Sequence, residues 1–246
     1  ARQMPSLVDE ADTCLFSVNI LAHNSFEQTQ RCVTSVLRFA GNSDIEIVLV
    51  DNASQDELSI WAAALQHTDA RLRVLRVSRT MGEGEARNIG LKQSRGRYIL
   101  LLDSSLEMTG DVFTLLAKTL ADEHVGITGY HGLRTGDLRH FEESQQLDVE
   151  VVDKLCMAFR RGLLKKVGFF DEGYRFPNYM DVDFNFAVRD SGANIVVTPG
   201  LPVTCYPVLQ DARLSDAERT RLTKRNFYRF LEKWGDRDDL LLEAEE

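Results

Sequence analysis

Apolar residues fall along this chain in short unbroken runs, separated by stretches with helical spacing. Phe16 to Leu21, Ile45 to Val50, Leu72 to Val77, Tyr98 to Leu102 and Val125 to Gly129 read as strands. Runs of this length without polar alternation predict strands buried on both faces, and hence a mostly parallel sheet. Between them the period changes. Glu27 to Phe39 carries Cys32, Val33, Val36 and Leu37 on one stripe, and helices ending at Leu65, spanning Glu85 to Gln93 and spanning Asp111 to Ala121 keep the alternation going. Ser54 and Glu57 have the spacing of a capping box for the second of these helices. Alternating strands and helices predict an α/β fold, a central sheet flanked by helices.

After Gly129 the rhythm breaks. The polar, aperiodic stretch from His131 to Val149 predicts a functional loop or an inserted hairpin. Val151 to Phe159 reads as one strand, Arg161 to Lys166 as a short helix stopped by Gly168, and Asp181 or Val182 to Asp190 as a helix stopped by Gly192. Ile195 to Val197 reads as a last strand. A closing helix from Ser215 to Trp234 sets Phe227, Phe230, Leu231 and Trp234 on one stripe. Residues 1–14 form an N-terminal extension, 15–235 one domain, and 236–246 an acidic, frayed tail.

Composition narrows the function. With 246 residues, 43% of them hydrophobic, the chain can bury one full core. A net charge of −9 excludes a general nucleic-acid binder, which needs a basic face. No run approaches the roughly 20 apolar residues of a membrane span. Cys14, Cys32, Cys156 and Cys205 lack zinc spacing, and a reducing compartment is the simpler home. Gly82-Glu83-Gly84 begins like a dinucleotide fingerprint, but Arg87 stands where its third glycine belongs. Asp181 to Asn185 begins like a calcium loop, yet Phe186 and Gly192 take its obligatory glycine and acid positions.

Two strands end in acids, Asp51-Asn52 and Asp103-Ser104-Ser105, and ligands of open α/β sheets bind beyond the carboxyl ends of the strands. In order, the stretches Phe16 to Asn24, Val50 to Asp56, Gly84 to Gly90, Gly96 to Asp103, Gly168 to Glu172, Met180 to Asp183 and Arg225 to Tyr228 resemble the family 2 glycosyltransferases. The resemblance implies the GT-A fold, with 15–105 as the nucleotide-binding half and 106–235 as the acceptor side. It implies a nucleoside-diphosphate sugar donor bound by Ala22, His23, Asn24, Asp51, Asn52, Arg87, Asp103 and Ser104. Asp181 would be the general base of an inverting transfer to an acceptor hydroxyl, with Asp183 as the second choice.

One departure matters. The usual acid-x-acid motif reads Asp103-Ser104-Ser105, so Asp103 and Ser105 would hold Mg2+ or Mn2+ with one carboxylate instead of two. Magnesium often needs only one or two carboxylates where phosphates supply further oxygens. Without an ion, Arg79, Arg87 or Arg97 would have to offset the diphosphate. The expected acceptor is a saccharide, a lipid-linked sugar or a protein, and the expected location is the cytoplasm or its membrane face. Two other readings stand: a non-catalytic sugar-nucleotide or glycan-binding module, favoured by Ser105, and a nucleotidyltransferase, which would want a glycine-rich basic loop where His23 to Phe26 stands.

Overall fold

The computed structural model describes residues 8, 10–41, 43–174, 178–207 and 215–243. The first half runs β1 (Cys14–Ala22), α1 (Phe26–Phe39), β2 (Ile45–Asp51), α2 (Leu58–Thr68), β3 (Leu72–Arg76), α3 (Glu83–Lys92) and β4 (Gly96–Asp103). The second continues with β5 (Leu106–Met108), α4 (Phe113–Leu120), β6 (Val125–Gly129), β7 (Gly132–Arg134), β8 (Glu142–Ser144), β9 (Val151–Val152) and β10 (Cys156–Arg160). It closes with α5 (Leu163–Val167), α6 (Met180–Asp190), β11 (Asn194–Val197), β12 (Val203–Cys205) and α7 (Asp216–Trp234).

Seven strands form the central sheet in the order β11-β6-β10-β4-β1-β2-β3. All of its pairings are parallel except those of β10, which runs against both β4 and β6. The apolar runs are explained by burial on both faces. Leu100 and Leu102 pack in one core with Cys32, Val33 and Leu116, whereas Ile99 and Leu101 pack in the other with Leu91 and Phe184. A third cluster joins α6 to α7 through Phe186, Phe230 and Trp234.

Register places the acids. Ala22 pairs with Asp51 on one side of β1, and Leu21 pairs with Asp103 on the other, so both acids leave the sheet at the carboxyl end of its central strand. Arg97, at the opposite end of β4, is six residues from Asp103, about 20 Å along a strand, and is removed from that crevice.

Three details differ from expectation and one agrees with it. The predicted capping box at Ser54 and Glu57 is absent: α2 starts at Leu58, whose amide bonds the Asp56 side chain, while Ser54 turns back toward Asn24. The strand predicted over Val151 to Phe159 is two strands, broken at Asp153-Lys154-Leu155. The aperiodic stretch after His131 is the second of its two expected forms, an inserted hairpin: β7 and β8 are an antiparallel pair, completed by β9. The tail expected to fray docks instead through residue 243: Leu240 is buried in the third cluster, its carbonyl accepts from Arg189 Nε at 2.6 Å, and the Leu242 amide donates to Glu150 at 2.9 Å.

Candidate active site

The nucleotide-side loops are stitched to one another. Asn24 has φ 49°, its amide donates to Ser54 Oγ at 3.0 Å, and its side-chain oxygen accepts from the Gln55 amide at 2.8 Å. His23 Nδ1 lies 2.7 Å from the Asn52 carbonyl, and the Asn52 amide donates to the Ala22 carbonyl at 2.9 Å. Asn52 reads the backbone of Met81 twice, through its side-chain amide and its carbonyl. Asp51 is wholly buried. Its oxygens accept from the Ser54 amide at 2.8 Å and the Ser59 hydroxyl at 2.7 Å, with Arg76 Nε 3.6 Å away. Asp51 therefore holds the loop's shape, and the surface left for a ligand is that of His23 and Asn24.

Helix α3 reaches deep between the sheet and α6. An added Cβ on Gly90 would run into Asn19 and Val50, and one on Gly84 would stand 3.3 Å from the Met180 sulfur, so small residues let this helix sink. Asn88 locks it, bonding both the amide and the carbonyl of Phe170. Arg87 is thereby buried with 3% exposure, its Nη2 3.8 Å from Asp103 and its Nε donating to Glu83 at 3.1 Å. Its Nη1 is buried with no hydrogen-bond partner. A buried guanidinium nitrogen without an acceptor is costly unless an anion arrives to take it.

Beyond Glu83 the line continues. Lys154 Nζ donates to Glu83 at 2.5 Å, and the Lys154 amide donates to Asp181 at 3.2 Å. Burial alone would raise the Glu83 carboxyl, but Lys154 and Arg87 hold it down to about 2. Burial pushes Asp153 up to about 6, with the negative charge of Asp181 adding to the rise and the Leu155 amide, His131 and Lys154 opposing it. His131 lies 3.6 Å from Asp153 and 3.8 Å from the exposed Glu143. Four carboxylates, Asp103, Glu83, Asp153 and Asp181, thus share one neighbourhood with two cations. That balance favours a ligand bringing positive charge, or a divalent ion accompanying an anionic one.

Asp181 lies in the first turn of α6. The helix starts at Met180 after Tyr179, whose φ is 68°, so Asp181 is not the helix cap and its carboxylate serves no capping bond. Asn185 staples this turn to β9, bonding Val152 twice and the Asp181 carbonyl at 2.8 Å. Asp181, Asp153 and Lys154 line a cavity of about 300 Å3 with Tyr179 and Phe141. Asp183 points elsewhere. Its carboxylate accepts from Trp234 Nε1 at 2.7 Å, Lys233 Nζ at 3.0 Å and the Tyr174 hydroxyl at 3.4 Å, which makes it a brace between α6 and α7.

Asp103 accepts from the Ser105 amide at 2.9 Å, and Ser104 beside it is 8% exposed. The Ser105 hydroxyl is buried without a hydrogen-bond partner, close to the thiol of Cys205. Among the described residues no group of three His, Cys, Asp or Glu side chains could hold a metal. One carboxylate and one orphaned hydroxyl still fit a Mg2+ or Mn2+ whose remaining ligands come from a bound diphosphate. Arg79 pairs with Glu85 at 3.3 Å and is largely exposed.

Lys154, Glu83, Asp153, His131 and Asn185 were not singled out by sequence. One sign was present: Asp153-Lys154 interrupts an apolar run, and two adjacent charges inside a predicted strand mark a break with another purpose.

Comparison with known proteins follows the same lines. The sequence model of glycosyl transferase family 2 matches residues 17–183. The succinoglycan biosynthesis protein ExoO of Rhizobium meliloti is 36% identical over 100 residues, covering 41% of this chain and 27% of that protein. The uncharacterized glycosyltransferase EpsJ of Bacillus subtilis is 27% identical over 194 residues, covering 70% and 55%. The chain therefore spans between about a quarter and about half the length of these relatives. Among solved structures, GalNAc-T7 with UDP, GalNAc and Mn2+ superposes with a TM-score of 0.77 at 18% identity, covering 92% of this chain and 49% of that one. The mannosyltransferase PcManGT from Pyrobaculum calidifontis with GDP-Man and Mn2+ gives 0.65 at 19% identity, covering 85% and 62%. Both likenesses establish the GT-A fold.

Proposed function

Because the chain belongs to glycosyl transferase family 2, we propose that it moves a sugar from a nucleoside diphosphate to an acceptor hydroxyl with inversion, Asp181 acting as general base. The observation that carries this reading is the line from Asp103 through the side chains of Arg87, Glu83 and Lys154, closed on Asp181 by the Lys154 backbone amide. A leaving diphosphate at one end and an attacking hydroxyl at the other would lie along one cleft.

The Asp181 carboxylate takes the acceptor proton as the hydroxyl oxygen attacks the anomeric carbon from the face opposite the diphosphate. The bond to the diphosphate oxygen breaks and carries its electron pair away. Arg87 donates its unpartnered Nη1 to a diphosphate oxygen, an interaction strengthened by burial and by prior orientation. Glu83, gripped by both Arg87 and Lys154, keeps that guanidinium aimed. The nucleobase rests against His23 and Asn24 over the corner that the buried Ala22, Asp51 and Asn52 shape. Asp103, with Ser104 beside it, faces the diphosphate.

Asp103 and Ser105 would hold Mg2+ or Mn2+, which when bound offsets the diphosphate charge. The two solved relatives contain Mn2+ with UDP and with GDP-Man. No described helix is long and apolar enough to cross a membrane. The test is a panel of nucleoside-diphosphate sugars with manganese, offered with simple sugar acceptors, reading the nucleoside diphosphate released. Release that depends on an acceptor and is lost in Asp181→Asn supports the reading. Equal release by wild type and Asp181→Asn overturns it.

A further inference from the structure

Past Tyr179 the acceptor-side cavity gives way to a groove of different character. Tyr179 lines both spaces. The groove holds about 480 Å3 and is walled by Arg139, Arg219 and Lys224, with Phe227 as its apolar wall and Thr220 and Thr223 beside the cations. No acid lines it. Such a concentration is unusual in a chain of net charge −9.

The charge belongs to a longer feature. From Arg219 to Leu231, α7 carries Arg219, Arg221, Lys224, Arg225 and Arg229 and not one carboxylate. Its buried side, Asn226, Phe230 and Trp234, is docked on the domain, so the cations lie on faces the core does not use. Arg139 comes from the other wall, the segment between β7 and β8, where its Nη1 donates to the Asp137 carbonyl at 2.9 Å. Two separate elements thus bring cations to one hollow next to Asp181. Thr220 spends its hydroxyl proton on the Asp216 carbonyl and Thr223 accepts from Asn178, so the hollow's donors are guanidinium and ammonium groups with the Thr223 hydroxyl, a set that matches a multiply charged, many-oxygen anion better than a single carboxylate.

We propose that the groove of Arg139, Arg219 and Lys224 binds a phosphate or diphosphate group carried by the acceptor, one sugar away from the hydroxyl that Asp181 deprotonates. The idea rests on the transfer reaction proposed above and adds the class of its acceptor. Tyr179, between the two spaces, offers its ring to the acceptor sugar. The phosphate on the basic groove fixes which end of the acceptor faces the donor.

The test is a binding titration with the donor site filled by UDP or GDP and Mn2+. The ligands are short-chain, water-soluble alkyl diphosphate glycosides and the matching neutral alkyl glycosides, over a set of common hexoses. A second arm uses vesicles of phosphatidylglycerol that carry no sugar. The expected result is that at least one diphosphate glycoside binds tenfold or more tightly than its neutral partner, and that Arg139→Ala with Lys224→Ala abolishes the difference without changing nucleotide binding. Equal binding of charged and neutral ligands, or an advantage that survives the double substitution, overturns the proposal. So does binding to the vesicles without binding to any diphosphate glycoside, which would make the surface a headgroup site. Loss of nucleotide binding in the wild type would instead indict the transferase reading, a separate outcome visible before any acceptor is added.

Discussion

Asp181 is the residue whose replacement by asparagine should be felt in turnover and not in nucleotide binding. A positioned general base contributes about 10² to 10⁴ in rate, so Asp181→Asn is expected to lose that much in kcat while nucleoside diphosphate raises Tm as in wild type. Steady-state kinetics and thermal melts check both halves. Asp153 makes a second prediction with a definite sign. Its folded pKa stands near 6 against an ordinary 3.8, raised by burial first. Its anion is therefore a burden on the fold, absent below about 3.8 and complete above about 6. Asp153→Asn should raise Tm at pH 8 by more than it does at pH 4, and equal shifts at both values would refute the assignment. Glu83 has the opposite sign. Lowered to about 2 from 4.5, it stabilises fully above 4.5 and loses that contribution as the pH falls toward 2. In sequence the acids at strand ends were readable because strand ends are where such folds put ligands. The Lys154 ammonium was not, because its role comes from meeting Glu83 across 71 residues.

Helix α7 is the element on which the acceptor side depends. It starts with a reciprocal capping box between Ser215 and Glu218, and it docks through Phe230, which meets Phe141, Tyr179 and Phe186 edge-on or tilted. Truncating a buried phenylalanine of this kind costs about 3–5 kcal/mol. Phe230→Ala should therefore lower Tm by many degrees in a thermal melt, and a change within a degree or two would show that α7 is not integral. The helices and the parallel strands were legible because their periodicity is local and strongly apolar. Strands β5 and β12 were not: each is three residues long, and they exist because Val203–Cys205 pairs with Leu106–Met108 nearly a hundred residues away. The break at Asp153 escaped for a related reason, since Asn185 stabilises it from another element.

Across the whole molecule, charge balance decides what the site accepts. A site with four carboxylates, one buried and one half-buried cation and an unmatched guanidinium nitrogen is poised for an anion and a divalent ion together, more than for either alone. Manganese without nucleotide is expected to leave Tm unchanged, because one carboxylate and one hydroxyl are too few ligands. Nucleoside diphosphate with manganese should raise it by more than nucleoside diphosphate with chelator. The most direct measurement is a crystal structure grown with UDP or GDP and Mn2+. The account predicts the base against His23 and Asn24, the diphosphate within hydrogen-bond reach of Arg87 Nη1, and the ion between that diphosphate and Asp103. Nucleotide bound away from the carboxyl ends of β1, β2 and β4, with Arg87 Nη1 still without an acceptor, would contradict it.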